Sequence, residues 1–208
     1  MLRGDRMGFL KVIKGSMGAG KSARAIIENS NLRFNNIKVC VIKPSLDDRD
    51  GNKIHSRIMS DEVQADIVLR PDQSIPIQYL IKENYEYVIV DEGHMLTVEQ
   101  VKELNYLTAV SNIVVYIYGL TMSWIGEPFI SMAYALGYAD AIEEIGVPNK
   151  QGQYNRYHIR YDDNDVLCDI ENGSDIITGD FGTYEAVSKS EFFRAYHKKM
   201  QKRFLKGE

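Results

Sequence analysis

Gly15-Ser16-Met17-Gly18-Ala19-Gly20-Lys21-Ser22 fits the spacing G-x-x-x-x-G-K-[ST], and what flanks it decides the fold. Before it, Phe9, Leu10, Val12 and Ile13 read as a short strand; after it, Ala23, Ala25, Ile26 and Ile27 read as a helix. A glycine-rich turn between strand and helix lets successive backbone N–H groups face phosphate oxygens, with the partly positive helix N-terminus aimed at the same place. Lys21 then reaches the β and γ phosphates, and the Ser22 hydroxyl is placed to ligate Mg²⁺. The implied ligand is a nucleoside triphosphate.

The chain around this loop has 208 residues, enough for one sizeable core and a small appendage but not for two full nucleotide-binding domains. Hydrophobic content of 44% and charged content of 26% are ordinary globular values, and a net charge of −4 gives no support for a general nucleic-acid-binding surface. Cys40 and Cys168 are the only cysteines, too few for a disulfide framework or a four-cysteine metal site, so a reducing cytoplasm is expected. No apolar run is long enough to span a bilayer, and the first residues lack the apolar stretch of a secretory leader. No membrane partner is therefore expected.

Working outward, Val39 to Ile42, Tyr87 to Val90 and Ile113 to Tyr118 are short and β-branched, as buried parallel strands are. Helices are expected around Pro76 to Lys82, from Thr97, where Thr97 and Gln100 suit a capping box, and around Ile130 to Leu136. Strands alternating with helices predict an α/β domain over residues 8–146 with a mostly parallel sheet. Residues 147–190 change texture, with alternating stretches at Tyr154 to Tyr161 and Gly182 to Ser188, and predict a small β-containing flap. Residues 191–208 predict a basic helix with Phe192, Phe193, Tyr196 and Met200 as its apolar stripe; its late lysines and arginine suit a solvated helix C-terminus.

Three further clusters follow strands. Asp91-Glu92-Gly93-His94 comes directly after Tyr87 to Val90, at the sheet edge where α/β proteins bind ligands, and joins the Gly15 to Ser22 loop as the phosphate-side site. Asp91 is placed to hold Mg²⁺ and Glu92 to act as a base. Lys43-Pro44-Ser45-Leu46-Asp47-Asp48-Arg49 offers Arg49 to stabilise phosphoryl charge and Asp47 to assist the metal, although a salted surface loop has the same composition. Gly119-Leu120-Thr121-Met122-Ser123-Trp124-Ile125-Gly126-Glu127-Pro128-Phe129 puts Trp124 and Phe129 in a loop, which suits a pocket for a flat ring and equally suits a loop packed on its own core.

In this order the clusters resemble the thymidine kinases of the family that joins a RecA-like P-loop domain to a small zinc-bearing lasso domain. GSMGAGKS is similar to that family's G-x-M-x-x-G-K-S, KPSLDDR to its K-P-x-x-D-x-R, VDEGHML to its D-E-x-Q-F-F and GLTMSWIGEPF to its G-L-x-x-x-F-x-x-x-P-F. Gly179 and Tyr184-Glu185-Ala186 are similar to its G-G-x-x-x-Y-E-A stretch, so the likeness runs from residue 8 to about 190. The resemblance implies ATP-dependent phosphorylation of the 5′-hydroxyl of thymidine or a close pyrimidine deoxynucleoside. It implies Glu92 as base, Lys21 and Arg49 as charge neutralisers, and Ser22 and Asp91, supported by Asp47, as Mg²⁺ residues. It also implies that Met17, Met95, Leu120, Trp124, Phe129 and Tyr184 enclose the base, and that the chain forms a homotetramer.

The departures matter as much. Val147-Pro148-Asn149-Lys150 replaces the family's first cysteine pair, and the second pair falls near Ser188 and Glu191, so no zinc site of the usual kind is expected. The family's Y-T-x-R reads Tyr157-His158-Ile159-Arg160 here, so His158 either alters which 5-substituted pyrimidine is accepted or is an exposed strand histidine. A small, zinc-free chain of this kind suits a phage enzyme working in the host cytoplasm. The rival reading is a RecA-like ATPase acting on nucleic acid, because VDEGH is similar to a helicase DE-x-H box; chain length and acidity speak against it.

Overall fold

Val39 to Ile42 and Tyr87 to Val90 offer no polar face to water, so each must be covered on both sides. In the computed structural model, which describes residues 8–47, 51–56, 58–146, 154–162, 164–170 and 184–204, they become central strands of a six-stranded parallel sheet. In chain order the elements are β1 (Phe9–Lys14), α1 (Lys21–Phe34), β2 (Val39–Pro44), β3 (Lys53–His55), β4 (Glu62–Gln64), β5 (Ile67–Leu69), α2 (Ile77–Lys82) and β6 (Tyr87–Val90). There follow a 3₁₀ turn over Gly93–Met95, α3 (Val98–Val110), β7 (Val114–Gly119), α4 (Ile130–Tyr138) and β8 (Ala141–Glu144), then β9 (Tyr157–Arg160), β10 (Tyr184–Val187), α5 (Lys189–Ala195) and α6 (His197–Phe204).

The sheet order is β5-β2-β6-β7-β1-β8, with every neighbouring pair parallel. Register sets Ile42 opposite Val90, Val90 opposite Ile117 and Ile13 opposite Tyr118, which brings the carboxyl ends of β2, β6, β7 and β1 to one edge. That alignment delivers all four sequence clusters to a single rim.

Each face is dry. Leu10, Val12, Val88 and Val115 pack under Val101, Leu104 and Leu107 of α3 and Met132 and Ala135 of α4. On the other face Ile13, Val41 and Ile89 meet Ala25, Ile26 and Leu32 of α1 and Ile54 of β3. The expected capping box starts α3: the Thr97 hydroxyl accepts from Gln100 N at 3.2 Å, and Thr97 N donates to the Gln100 side chain at 3.0 Å.

β9 and β10 pair antiparallel with Tyr184 opposite Arg160, where the alternating stretches were read. Their core is aromatic: Trp124, Ile159, Tyr184, Val187, Phe192 and Tyr196 form one cluster, with Phe192 fully buried. α5 therefore packs on this small sheet. The C-terminal helix starts at Lys189, capped by Ser188, and breaks at Tyr196 before α6. Lys199 pairs with Asp169, while the side chain of Met200 lies outside the described residues. Three parts of the sheet system carry no clear sequence signal: β5, the antiparallel β3–β4 hairpin and β8, whose Ala-Ile-Glu-Glu has two charged residues.

Candidate active site

Gly15 leaves β1, and the loop to α1 turns on Gly18 and Gly20, whose φ values of 73° and 84° lie in the left-handed region that residues with a Cβ avoid. Gly20 is the N-cap of α1, and no acidic residue sits in the first turn to offset its positive end. Lys21 is buried, and its Nζ donates to the Ser16 carbonyl at 2.8 Å, so the cation is folded onto its own loop. The Ala19 N–H also closes on Ser16 O, at 3.2 Å.

Asp91 directly follows β6 and is 4% exposed. Ser22, the first-turn hydroxyl of α1, hydrogen-bonds to its carboxylate, while Asp91 Oδ1 has no partner among the described residues. Burial, and then the charge of Glu92, push the Asp91 carboxyl up to about 7 against the opposing pull of Ser22 and Lys21. Lys21, Ser22, Asp91 and Glu92 thus stand together at the rim.

Glu92 has φ 51° and ψ 41°, a left-handed conformation that costs a residue with a Cβ about 1–2 kcal/mol. The strain turns the chain sharply from β6 into the 3₁₀ turn and leaves the Glu92 side chain partly open at 13% exposure. Its Oε2 lies 3.4 Å from His94 Nδ1. His94 is buried; Leu120 N donates to its Nδ1 at 3.4 Å, its ring tilts onto Phe129 at 4.7 Å, and its carbonyl accepts from the Ser131 hydroxyl at 3.0 Å. Gly93 sits against Ile117 with no room for a Cβ.

Near the end of β2, Lys43 is 1% exposed and its Nζ is held by three acceptors: Gly51 O at 3.0 Å, Lys53 O at 2.9 Å and Asp47 Oδ2 at 3.1 Å. Asp47 is accordingly a partner in a buried ion pair that anchors the loop after β2. Arg49 lies outside the described residues. Lys43 is the residue sequence reasoning passed over, and its signal was there: a lone cation at the end of an otherwise apolar strand.

The ring-enclosing candidates divide. Leu120 and Phe129 are buried in the core under α4, and Met95 is buried in the 3₁₀ turn. Trp124 crosses to the small sheet, where it packs with Tyr184 and Ile159 and where Met17 of the phosphate loop also leans. Arg160 lies over both rings, its Cζ 5.5 Å from the Trp124 centroid and 5.9 Å from that of Tyr184. His158 is neither exposed nor free-standing: it is 2% exposed, and its Nε2 accepts from Met17 N at 2.8 Å.

The positions matching the second cysteine pair have other work. The Ser188 hydroxyl accepts from Glu191 N at 3.3 Å, and Glu191 Oε2 accepts from Ser188 N at 2.8 Å, a capping box that starts α5. Val147 to Lys150 and Gly179 lie outside the described residues. Among the described residues no three His, Cys, Asp or Glu side chains gather as a metal site.

A phosphate loop, an adjoining Asp-Glu pair and an aromatic loop on one sheet rim define a P-loop phosphotransferase. The family model described as thymidine kinase matches residues 8–191. The chain is 32% identical to a thymidine kinase of Shewanella oneidensis over 180 residues, covering 85% of this chain and 92% of that one. It is 31% identical to a thymidine kinase of Coxiella burnetii over 183 residues, covering 85% and 91%. The chain belongs to the thymidine kinase family: it is an enzyme that uses ATP to phosphorylate a nucleoside.

Proposed function

We propose that this chain transfers the γ-phosphoryl group of ATP to the 5′-hydroxyl of thymidine, with the parallel-sheet domain holding the donor and the small sheet of β9 and β10 on the acceptor side. The observation that carries the assignment of roles is the Asp91 carboxylate, buried with one oxygen unpartnered among the described residues, beside the Ser22 hydroxyl and Glu92.

On this reading the backbone N–H groups of Gly15 to Ser22 cradle the phosphates, and Lys21 leaves the Ser16 carbonyl to meet the γ-phosphoryl oxygens. Glu92 takes the proton from the 5′-hydroxyl, its strained backbone turning the carboxylate toward the acceptor. Arg49 adds positive charge from the loop that Lys43 and Asp47 anchor. Gly93, packed against Ile117, and His94, 3.4 Å from Glu92 Oε2, hold the turn that carries the Glu92 carboxylate; Met17, Met95, Leu120, Trp124, Phe129 and Tyr184 form and support the base pocket, with His158 bracing the phosphate loop beside it.

The donor set suits Mg²⁺, a hard cation that binds through one or two carboxylate or hydroxyl oxygens plus phosphate and water: Ser22 and Asp91 would hold it, and Asp47, paired with Lys43, would support it only by anchoring the loop after β2. When bound it would neutralise charge on the bridging phosphate oxygens. No zinc is needed, because the Ser188–Glu191 capping box and the Phe192 cluster hold the small sheet. Homotetramer formation has support in the exposed Tyr106 and Val110 of α3 and Ile130 and Tyr134 of α4. No helix among the described residues is long and apolar enough to cross a membrane, and the cytoplasm is the proposed compartment.

The test is to incubate the protein with γ-labelled ATP and Mg²⁺ against a panel of nucleosides, with single-stranded DNA as a separate arm. Label on thymidine that vanishes in Glu92→Gln is the expected result. DNA-stimulated phosphate release without a labelled nucleoside would overturn it in favour of a nucleic-acid motor.

A further inference from the structure

His158 joins three segments that the sequence keeps far apart. It sits in β9, its Nε2 accepts the Met17 N–H of the phosphate loop at 2.8 Å, and the ring also hydrogen-bonds to the Met122 backbone in the loop after β7. A backbone N–H can only donate, so Nε2 offers its lone pair, and Nδ1 carries the proton given to the Met122 carbonyl. Both ring nitrogens are then spent on main chain. Nothing polar on the imidazole remains for a pyrimidine. The neutral state this demands is also the one the surroundings favour: burial first, then the charges of Lys21 and His94, lower its pKa to about 3.

We propose that His158 is a positioning residue, a neutral imidazole strut that ties the phosphate loop to the loop carrying Trp124 and so sets the donor against the acceptor, and that it does not read the base. The proposal rests on the nucleoside-kinase reading above. Its logic is geometric: phosphoryl transfer depends on the in-line approach of two bound molecules, one held by the loop containing Met17 and the other enclosed by the loop containing Met122 and Trp124. Small shifts between those loops act on the chemical step more than on either binding step.

Two substitutions separate strut from reader. His158→Phe keeps a flat ring and loses both hydrogen bonds; His158→Gln keeps one donor and one acceptor. The expected result for His158→Phe is a kcat lowered about 10–100-fold with the nucleoside KM and the affinity for a non-hydrolysable ATP analogue within about threefold of the parent. His158→Gln is expected to regain most of that kcat, and the preference between thymidine and deoxyuridine to stay unchanged in both. A Gln variant no better than Phe, or a preference that shifts with kcat intact, would overturn the proposal.

A third measurement needs no variant. In protein labelled with ¹⁵N histidine, the His158 ring is expected as the Nδ1–H tautomer with Nε2 accepting a hydrogen bond. An Nε2–H tautomer or an imidazolium at neutral pH sinks the strut even if His158→Phe fails to fold. Should the parent protein phosphorylate no nucleoside, the kinase reading has failed on its own account, and the tautomer still decides whether the strut exists.

Discussion

Ser22 and Asp91 share a hydrogen bond between the first turn of α1 and the end of β6, and the other Asp91 oxygen is buried with no partner among the described residues. A carboxylate in that position is uncomfortable without a cation, because burial and the neighbouring Glu92 both disfavour its charge. Asp91→Asn keeps the shape and an acceptor for Ser22 while removing the charge. Thermal melts of metal-free protein at pH 8 are expected to give a higher midpoint for Asp91→Asn than for the parent. Turnover by the same variant is expected to fall by a factor of about 100 or more. A parent that melts higher than the variant without metal would contradict this account.

Glu92 trades stability for placement. Its φ of 51° is unfavourable for any residue with a Cβ. Glu92→Gly relieves that strain and removes a charge beside Asp91, offset in part by the greater freedom of glycine in the unfolded chain. Urea unfolding should therefore find Glu92→Gly as stable as the parent or up to about 1 kcal/mol more so, while kcat drops about 10²–10⁴-fold. A clear loss of stability would mean that the Glu92 side chain supports the fold.

The pH dependence of stability carries the signature of His158. Its folded pKa, about 3, lies below the ordinary value of 6.5, so between those pH values the unfolded chain binds a proton that the folded chain refuses. Stability contributed by the neutral ring is complete above the ordinary value and declines as pH falls from about 6.5 toward 3. Replacement by Gln removes that slope. Chemical denaturation at pH 7 and pH 4 should show the parent losing about 3 kcal/mol more than His158→Gln over the interval. Equal losses would place the ring in a wetter setting than its 2% exposure implies.

Ser188 and Glu191 make a prediction about metal. They start α5 by reciprocal capping, so Ser188→Ala should lower stability by about 1 kcal/mol and loosen the helix that covers the small sheet. A strong zinc chelator should leave the parent's melting temperature unchanged. Melting that drops on chelation, together with stoichiometric zinc in the purified protein, would contradict the metal-free account.

Where backbone pattern and side-chain chemistry coincide, the sequence was sufficient. Gly15 to Ser22 and Tyr87 to Glu92 announce a strand, a turn and a function in one stretch, and Thr97 with Gln100 names the start of α3. β5 was not legible because three residues are too few for a period, and β8 because its charges disguise a strand that lies along β1 with Glu143 and Glu144 paired to Lys11 and Lys14. Lys43 was visible as a charge but not as an anchor, since two of its three partners are main-chain carbonyls, of Gly51 and of Lys53 at the start of β3. His158 was beyond reach for the same reason: its partners are main-chain groups, which leave no mark in the residue letters.

The cluster of Phe192 and Tyr196 beneath β9 and β10 has a bearing on how the chain is made. A two-stranded ribbon is marginal by itself, and here its aromatic lining comes from the helix that follows it. During synthesis the phosphate loop and its sheet can form early from residues already released, whereas the acceptor side must wait for α5 to emerge. The nascent enzyme is thus able to hold a nucleotide well before it is able to spend one.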